Sequence, residues 1–511
     1  MNLGLSLTQS ALRWPEKTAL VFEGRRWSYR QWNREVNRAA NAFSAHGIGR
    51  GDRVAFLTWN LPEQVTAFYG LLKIGGVPVP INYRLAANEI KYIVDNCAAR
   101  MFVFEEALRE PVMAIKDDLQ TVERLIYIGD KPEGDEITFA DFVAPASDRE
   151  PAVGAGLDDA AFIMYTSGTT GLPKGVVRTH QAELFGTMTM ALECGFQHDD
   201  SILNNKPLFH IAQLQLQFLP FVALAATTVL TRGFDIDETL GLVESERLTC
   251  LHGVPTQMVM MAQADLSKYD LSSLQCGFYG GQTLADDIIR TCMALFPKKF
   301  LNVYGFTATA CDYRRDPDKL GSVGPAAVNM EVRILKTGAV DVYDIADVGE
   351  VGELIARGPS IMKEYFRLPE RTAAALRDGW YFSGDAAYRD EEGFVTVKGR
   401  IDHTIKTGGE NVHPSEVENL LFDHDGIADV AVVGLPSTKW GEVVCAAVIA
   451  KDPALNAETL DRYCRESPDL ALFKRPRHYY FVDEIPANST GKVERGKLKE
   501  KLPGLLDGPL D

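Results

Sequence analysis

The chain has 511 residues, 46% hydrophobic and 24% charged, enough for a full core in roughly three structural units, and no fibre or disordered tail fits this composition. Its formal net charge of −17 argues against a nucleic-acid binder, which needs a basic face, yet leaves room for an anion in a locally basic pocket. The eight cysteines contain no C-x-x-C pair and read as reduced, buried thiols of a cytoplasmic protein. The start, "MNLGLSLTQSALRWPEK", lacks a basic segment followed by a long apolar one, so no signal peptide is expected.

In chain order, "QWNREVNRAANAFSAHG" places Trp32, Val36, Ala40 and Phe43 on one helical face, with Gly47 as its stop. "RVAFLT" (53–58) predicts a buried strand, "PEQVTAFYGLLKIGG" a helix with Pro62 in its first turn, and "VPVPI" a further strand. A helix at about 86–96 and the strand "MFVFE" continue the rhythm, which resumes from 160 to 305 and predicts a largely parallel sheet covered by helices. The apolar run Phe218 to Leu230 is broken by Pro220 and is shorter than the roughly 20 residues of a membrane span. It predicts a buried helix running into a strand. After about 320, "EVRIL", "GELIARG", "GWYFSGDAAYRD" and "GFVTVKGR" are short strands punctuated by Asp378-Gly379 and Glu392-Gly393, which predicts an antiparallel, barrel-like unit. "GRIDHTIKTGGENVHP" is polar and Gly-rich, like a junction between units.

The first chemical signal is "YTSGTTGLPKG" (165–175). It leaves the end of the predicted strand "AFIMY", where open α/β sheets bind ligands. Its glycines free backbone N–H groups, its hydroxyls add donors and Lys174 adds charge, all suited to phosphate oxygens. It is not a Walker A loop, because Lys174 precedes Gly175 instead of following a glycine. Downstream, Tyr304 in "LNVYGFT" could stack on a flat ring such as adenine and Asn302 could bond its exocyclic amine. Asp385 in "YFSGD" follows a glycine in a predicted turn and suits a ribose diol, and Lys492 in "STGKVER" sits on a turn after Gly491.

These motifs, with "GRIDHTIKTGGENVHPSEVE", stand in the order and spacing of adenylate-forming enzymes, and the chain resembles that superfamily over essentially its whole length. "GGENVHPSEVE", "KWGE" and "LFKRP" resemble its aryl- and chlorobenzoate–CoA ligase branch. The resemblance implies an α/β fold: residues 1–401 as an AMP-binding domain (1–320 as two βα-type subdomains, 321–401 barrel-like), and 402–511 as a small, mobile α+β lid hinged at Asp402. It implies that a carboxylic acid attacks ATP to give an acyl adenylate and pyrophosphate, and that a thiol, usually CoA, then releases AMP. Thr166, Ser167, Gly168, Thr169, Thr170, Gly171 and Lys174 would grip the leaving phosphates. Asp385 and Arg400 would hold the ribose, with Tyr304, Asn302, Gly305, Gly280, Gly281 and Gln282 around the adenine, and Thr307 would reach the α-phosphate. Lys492 would bridge carboxylate and phosphate, offsetting their repulsion. A second pose of the lid would present Gly408 and Gly409 to a thiol tunnel. Trp440, Phe473, Arg475 and Arg84 match positions that meet CoA. His210 matches a gate at the mouth of an acyl pocket lined by Ile211, Gly280, Val303 and Gly305, which suits a hydrophobic acid, aromatic or cyclic acids included.

One departure stands out. The family pattern Tyr-Gly-x-Thr-Glu reads "YGFTA" here, with Ala308 in place of the glutamate that helps hold Mg²⁺. Three readings stay open: Mg²⁺ held by the phosphates and water, Asp312 as a substitute, or crippled adenylation. The expectation is activity with a weaker Mg²⁺ dependence. An amide ligase passing the acyl group to an amine is the alternative activity, a binding protein of little turnover is a third, and a homodimer is left open.

Overall fold

The computed structural model describes residues 2–505 apart from 135, 153, 167–172, 282, 283, 285, 306, 408, 409, 438, 468, 469 and 489–492. A hairpin, β1 (Thr18–Phe22) and β2 (Arg25–Ser28), leads into the Tyr29–Ala45 helix. The helix starts at a capping box in which Ser28 Oγ accepts from the Gln31 N–H and Gln31 Oε1 from the Ser28 N–H. Trp32, Val36, Ala40 and Phe43 are buried, as their spacing predicts. β3 (Arg53–Leu57), β4 (Val77–Pro80), β5 (Met101–Glu105), β6 (Arg124–Ile128) and β7 (Ile137–Thr138) then form a parallel sheet in the order β4-β3-β5-β6-β7.

β8 (Ala160–Thr166) and β9 (Lys174–Thr179) follow. The next strands are β10 (Ser201–Asn204), β11 (Thr227–Leu230), β12 (Cys250–Gly253), β13 (Cys276–Gly280), β14 (Lys299–Tyr304) and β15 (Thr309–Asp312). With β1 and β2 they build an eight-stranded sheet, β15-β14-β13-β12-β10-β11-β1-β2, parallel except for an antiparallel pair at each edge. The run 218–230 behaves as its sequence predicts: a π-helical turn Leu214–Phe218 passes into the helix Leu219–Ala223 and then into β11.

The change of texture after 320 is an antiparallel sheet. It comprises β16 (Glu331–Leu335), β17 (Gly352–Arg357), β19 (Leu376–Arg377), β20 (Trp380–Arg389) and β21 (Val395–Arg400), while β18 (Glu364–Tyr365) joins β9 and β8 elsewhere. Asp378-Gly379 closes the two-residue hairpin between β19 and β20, with φ 49° and 76°. The last sheet holds β22 (Ile405–Thr407), β23 (Glu410–Val412), β24 (Ile427–Ser437), β25 (Gly441–Ala450) and β26 (His478–Phe481), with apolar clusters around Val432 and Val433 on its two faces. All eight cysteines are buried and free, and among the described residues no helix is long and apolar enough to cross a membrane.

Two local expectations are corrected. The glycine-rich segment does not leave a strand of a parallel sheet: β8 pairs antiparallel with β9, so it connects the two strands of a hairpin, with Thr166 opposite Lys174. Asp385 lies inside β20 and not in a turn. Gly384 adopts φ 70° without breaking the strand, and Asp385 pairs with Arg400 of β21.

Candidate active site

Side chains from β9, β14, β18, β20 and β21 come together here. Lys174 opens β9, and its ammonium lies 4.9 Å from the centre of the Tyr365 ring on β18. Burial first, then Arg371 and Arg400, hold it below the usual lysine range. Two guanidiniums act on one ammonium, and a polyanion beside Lys174 would relieve their repulsion. Arg371, on the short helix Pro369–Ala375, belongs to no motif and was invisible in the sequence.

Asp385 lies on β20 beside Arg400 of β21. Its carboxylate accepts the Tyr304 hydroxyl on Oδ2 and Arg400 Nη1 at 3.3 Å on Oδ1, while its own N–H donates to Ser383 Oγ at 3.0 Å. Gly384 makes this possible: a Cβ there would lie 2.5 Å from Arg400 Nη2. Arg400 also donates to the Ser383 carbonyl and to Asp402 Oδ1. The result is an oriented, half-buried carboxylate with its lone pairs directed by two fixed donors, suited to a vicinal diol. Burial, then the Asp385 charge, hold the Tyr304 phenol well above the usual tyrosine range, so it remains a donor.

Asn302 is buried, and its Nδ2 donates to Tyr313 Oη and to the Ser322 carbonyl, both at 3.1 Å, which fixes the orientation of its amide on β14. Gly280 ends β13 beside Val303, and Val303 packs with Phe278, Leu301 and Leu216. Gly281 and Gly305 follow at the strand ends, both with positive φ. Thr307 is fully buried at φ 63°, and its hydroxyl has no partner among the described residues. A β-branched residue in the left-handed region costs on the order of 1–3 kcal/mol, a strain that tends to mark functional turns.

The described residues do not fit a protein-held Mg²⁺ ion. Ala308 is buried among Ala327, Met330 and Ala356. Asp312 pairs with Leu301, three residues along β14 from Tyr304 and therefore about 10 Å away. It instead accepts the Phe300 and Arg314 N–H groups, so it is no substitute for the missing glutamate. Among the described residues no three acidic, histidine or cysteine side chains group as metal ligands.

His210 caps the helix Ile211–Gln213. An aromatic series leads to it: Trp59 stacks on Tyr83 at 4.1 Å, Tyr83 meets Phe209 edge-on at 5.2 Å, and Phe209 lies 4.4 Å from His210. Burial, then Arg84, push the His210 imidazole down to about 4, so it is neutral at pH 7. Arg84 and His210, assigned to different ligands by the sequence, thus lie within electrostatic reach. Ile211 is partly buried and packs against the N-terminal cluster of Leu61 and Phe68, while its neighbour Ala212 packs against the Val303 cluster.

A second unforeseen group is Lys206. It is buried without a carboxylate, donating to the His252 carbonyl at 2.7 Å and to Asn205 Oδ1 at 3.1 Å, and burial pushes its ammonium down to about 7. Between pH 7 and the unfolded value of 10.5 the unfolded chain holds a proton that the folded chain lacks, so this residue makes stability rise with pH across that window. At about 1.36 kcal/mol per unit, the penalty below pH 7 is on the order of 5 kcal/mol. Lys206→Met is therefore expected to raise the melting temperature most at or below pH 7, with the gain over wild type closing as pH approaches 10.5. A gain independent of pH, read by thermal melts across that range, would contradict this.

In the C-terminal sheet, Trp440 carries cations on its ring, Lys439 at 5.1 Å and Arg477 at 5.3 Å. Phe473 is exposed beside Lys474. Arg475 is bound to Asp461 Oδ1 at 2.9 Å, so the guanidinium at Trp440 belongs to Arg477, which the sequence reading overlooked. The Pro414–Phe422 helix is tied to β21 by Ser415 Oγ donating to the Lys398 carbonyl at 2.7 Å and by the Lys398–Glu416 pair at 3.2 Å. Ser167, Gly168, Thr169, Thr170, Gly171, Gln282, Gly408, Gly409 and Lys492 lie outside the described residues.

Three cations acting together and a braced carboxylate, carried on antiparallel strands, are suited to a nucleotide polyphosphate. Comparison with known families makes the class specific. The model of AMP-binding enzymes matches residues 7–366, and that of the AMP-binding enzyme C-terminal domain matches residues 416–492. The chain belongs to the AMP-binding enzymes of the adenylate-forming superfamily. It is 33% identical to a feruloyl-CoA synthase of an Amycolatopsis species, covering 96% of each chain. It is 34% identical to an indoleacetate–CoA ligase of Aromatoleum aromaticum, covering 95% of each. Among solved structures, an anthranilate CoA ligase in complex with anthranoyl-AMP superposes with a TM-score of 0.89 at 26% identity, covering 99% of this chain and 98% of that one.

Proposed function

We propose that this chain is an AMP-forming acid–thiol ligase that joins a carboxylic acid to CoA through an acyl adenylate. The observation that carries the reading is the pairing of Asp385, braced by Tyr304 and Arg400, with the cations Lys174, Arg371 and Arg400. One wall suits a ribose and the other the phosphates of the same nucleotide. The similarity to ligases named for feruloyl-CoA and indoleacetate favours CoA as the acceptor and an aryl-bearing acid as the donor.

In this reading Lys174 and the 166–171 segment hold the phosphates that leave as pyrophosphate. Thr307 presents its buried hydroxyl toward the α-phosphate, and Lys492 sits between the two anionic reactants. The neutral His210 and its aromatic neighbours exclude water from the adenylate, and Trp440, Arg477 and Phe473 receive the CoA nucleotide. Residues 402–511 act as the lid, turning at Asp402 against residues 1–401. With Ala308 in place of a carboxylate, a divalent cation would rely on the ATP phosphates and water.

The test is product identity. The protein is incubated with ATP, Mg²⁺, a panel of aryl acids and either CoA or amino acids, and products are read by mass spectrometry. Thioester with stoichiometric AMP is the expected result. An amide in the amino-acid arm and no thioester, or ADP instead of AMP, would overturn it.

A further inference from the structure

Beyond His210 lies a buried arrangement that the reaction outlined above does not use. The Ile211–Gln213 helix and the π-helical turn Leu214–Phe218 lie over the large sheet. Leu214 and Phe218 pack into the N-terminal core, and Leu216 packs with Val303 and Phe278. Gln213, Gln215 and Gln217 alternate with these leucines and are 0% exposed. Packing alone does not call for three carboxamides in five residues, each with two donors and an accepting oxygen.

Their hydrogen bonding is conspicuously incomplete. Gln213 Nε2 donates to Asn204 Oδ1 at the end of β10, but Gln213 Oε1 and Asn204 Nδ2 have no partner among the described residues. Neither amide atom of Gln215 or of Gln217 has one, and neither has His210 Nε2. Gln215 lies against the His180–Cys194 helix, where a Cβ on Gly186 would meet its Nε2 at 2.2 Å, so the glycine there makes room for an amide. Beside it the buried Thr187 hydroxyl is also unpartnered. Each such group left dry costs about 1–3 kcal/mol, so a set of this size implies a polar occupant.

Position says which occupant. His210, Gln213 and Gln217 recur at helical spacing along one stripe, starting at the residue read as the mouth of the acyl pocket. Asn204 faces them from the carboxyl end of β10, the end of the sheet at which Gly280 and Val303 stand in β13 and β14. We infer that this seam is the far wall of the acyl pocket and that the acid carries a neutral hydrogen-bonding group, a hydroxyl, keto or carboxamide, remote from its carboxylate. The inference rests on the ligase reading and refines its substrate class: Val303 supplies an apolar wall near the carboxylate, and the glutamines a polar one beyond it. Carboxamides both donate and accept, which suits a neutral group. A second carboxylate or an ammonium would find no charge on Asn204 or the three glutamines to pair with, at far higher desolvation cost.

The test compares matched acids on the wild-type protein with ATP and CoA: para-hydroxycinnamate against cinnamate, para-hydroxyphenylacetate against phenylacetate, and a terminally hydroxylated medium-chain fatty acid against its parent. AMP release is measured. The hydroxylated acid is expected to have at least a tenfold higher kcat/KM in at least one pair, roughly the discrimination of a site built around hydrogen bonds. Gln217→Leu and Gln213→Leu are expected to reduce that ratio at least fivefold with the KM for ATP unchanged. If every pair favours the unsubstituted acid, or if both variants leave the ratio intact, the glutamines hold structural water only and the inference fails while the ligase reading stands. If no acid releases AMP, the ligase reading fails and takes the inference with it. Should the variants not fold, the wild-type ratios decide.

Discussion

Asp385→Ala is expected to raise the KM for ATP about 100-fold while changing the KM for acid and CoA by no more than a fewfold. The carboxylate is already oriented in the absence of a ligand: Tyr304 holds one oxygen, Arg400 the other, and the strand pairing of β20 with β21 fixes the backbone beneath. A charged hydrogen bond contributes about 1.5–3 kcal/mol and tenfold in affinity is about 1.4 kcal/mol, so losing one or two to a ribose gives that range. Asp385→Asn keeps the shape and one acceptor, and should fall between the two. An unchanged KM for ATP in a folded Asp385→Ala protein, measured by pyrophosphate release, would remove the ribose from this wall.

Lys492→Ala separates the two half-reactions. Adenylation is expected to fall by about 100- to 1000-fold, the usual loss when a positioned charge is taken from a transition state. Thioester formation from a supplied acyl adenylate and CoA should stay within a fewfold of wild type, because in the second step the leaving AMP and the thiol are positioned by other residues. Equal losses in both steps, from single-turnover measurements, would show that Lys492 serves the fold or both poses, and not adenylation alone.

Much of this was legible in the sequence where chemistry and periodicity coincide. The helix holding Trp32 and Phe43, the strand "MFVFE" and the Asp378-Gly379 hairpin formed because local pattern and tertiary packing agree. Less legible was anything decided by a partner distant in the chain. Nothing near Arg371 announces that its charge acts on Lys174, and Asp385 reads as a turn residue because a glycine precedes it, until β21 is seen to pair alongside. The partners that orient the Asn302 amide, Tyr313 and Ser322, lie in a later segment that its own motif does not reveal. The glutamines of "AQLQLQF" belong to no motif, and only their complete burial gives them meaning.

The central claim is that the bond made first joins the acid's oxygen to the α-phosphate of ATP. Oxygen-18 in the carboxylate of an active acid tests it in one turnover with ATP and CoA. Mass spectrometry should find one label in AMP and none in pyrophosphate. Label in inorganic phosphate or pyrophosphate, or unlabelled AMP released alongside the thioester, would contradict an acyl-adenylate route.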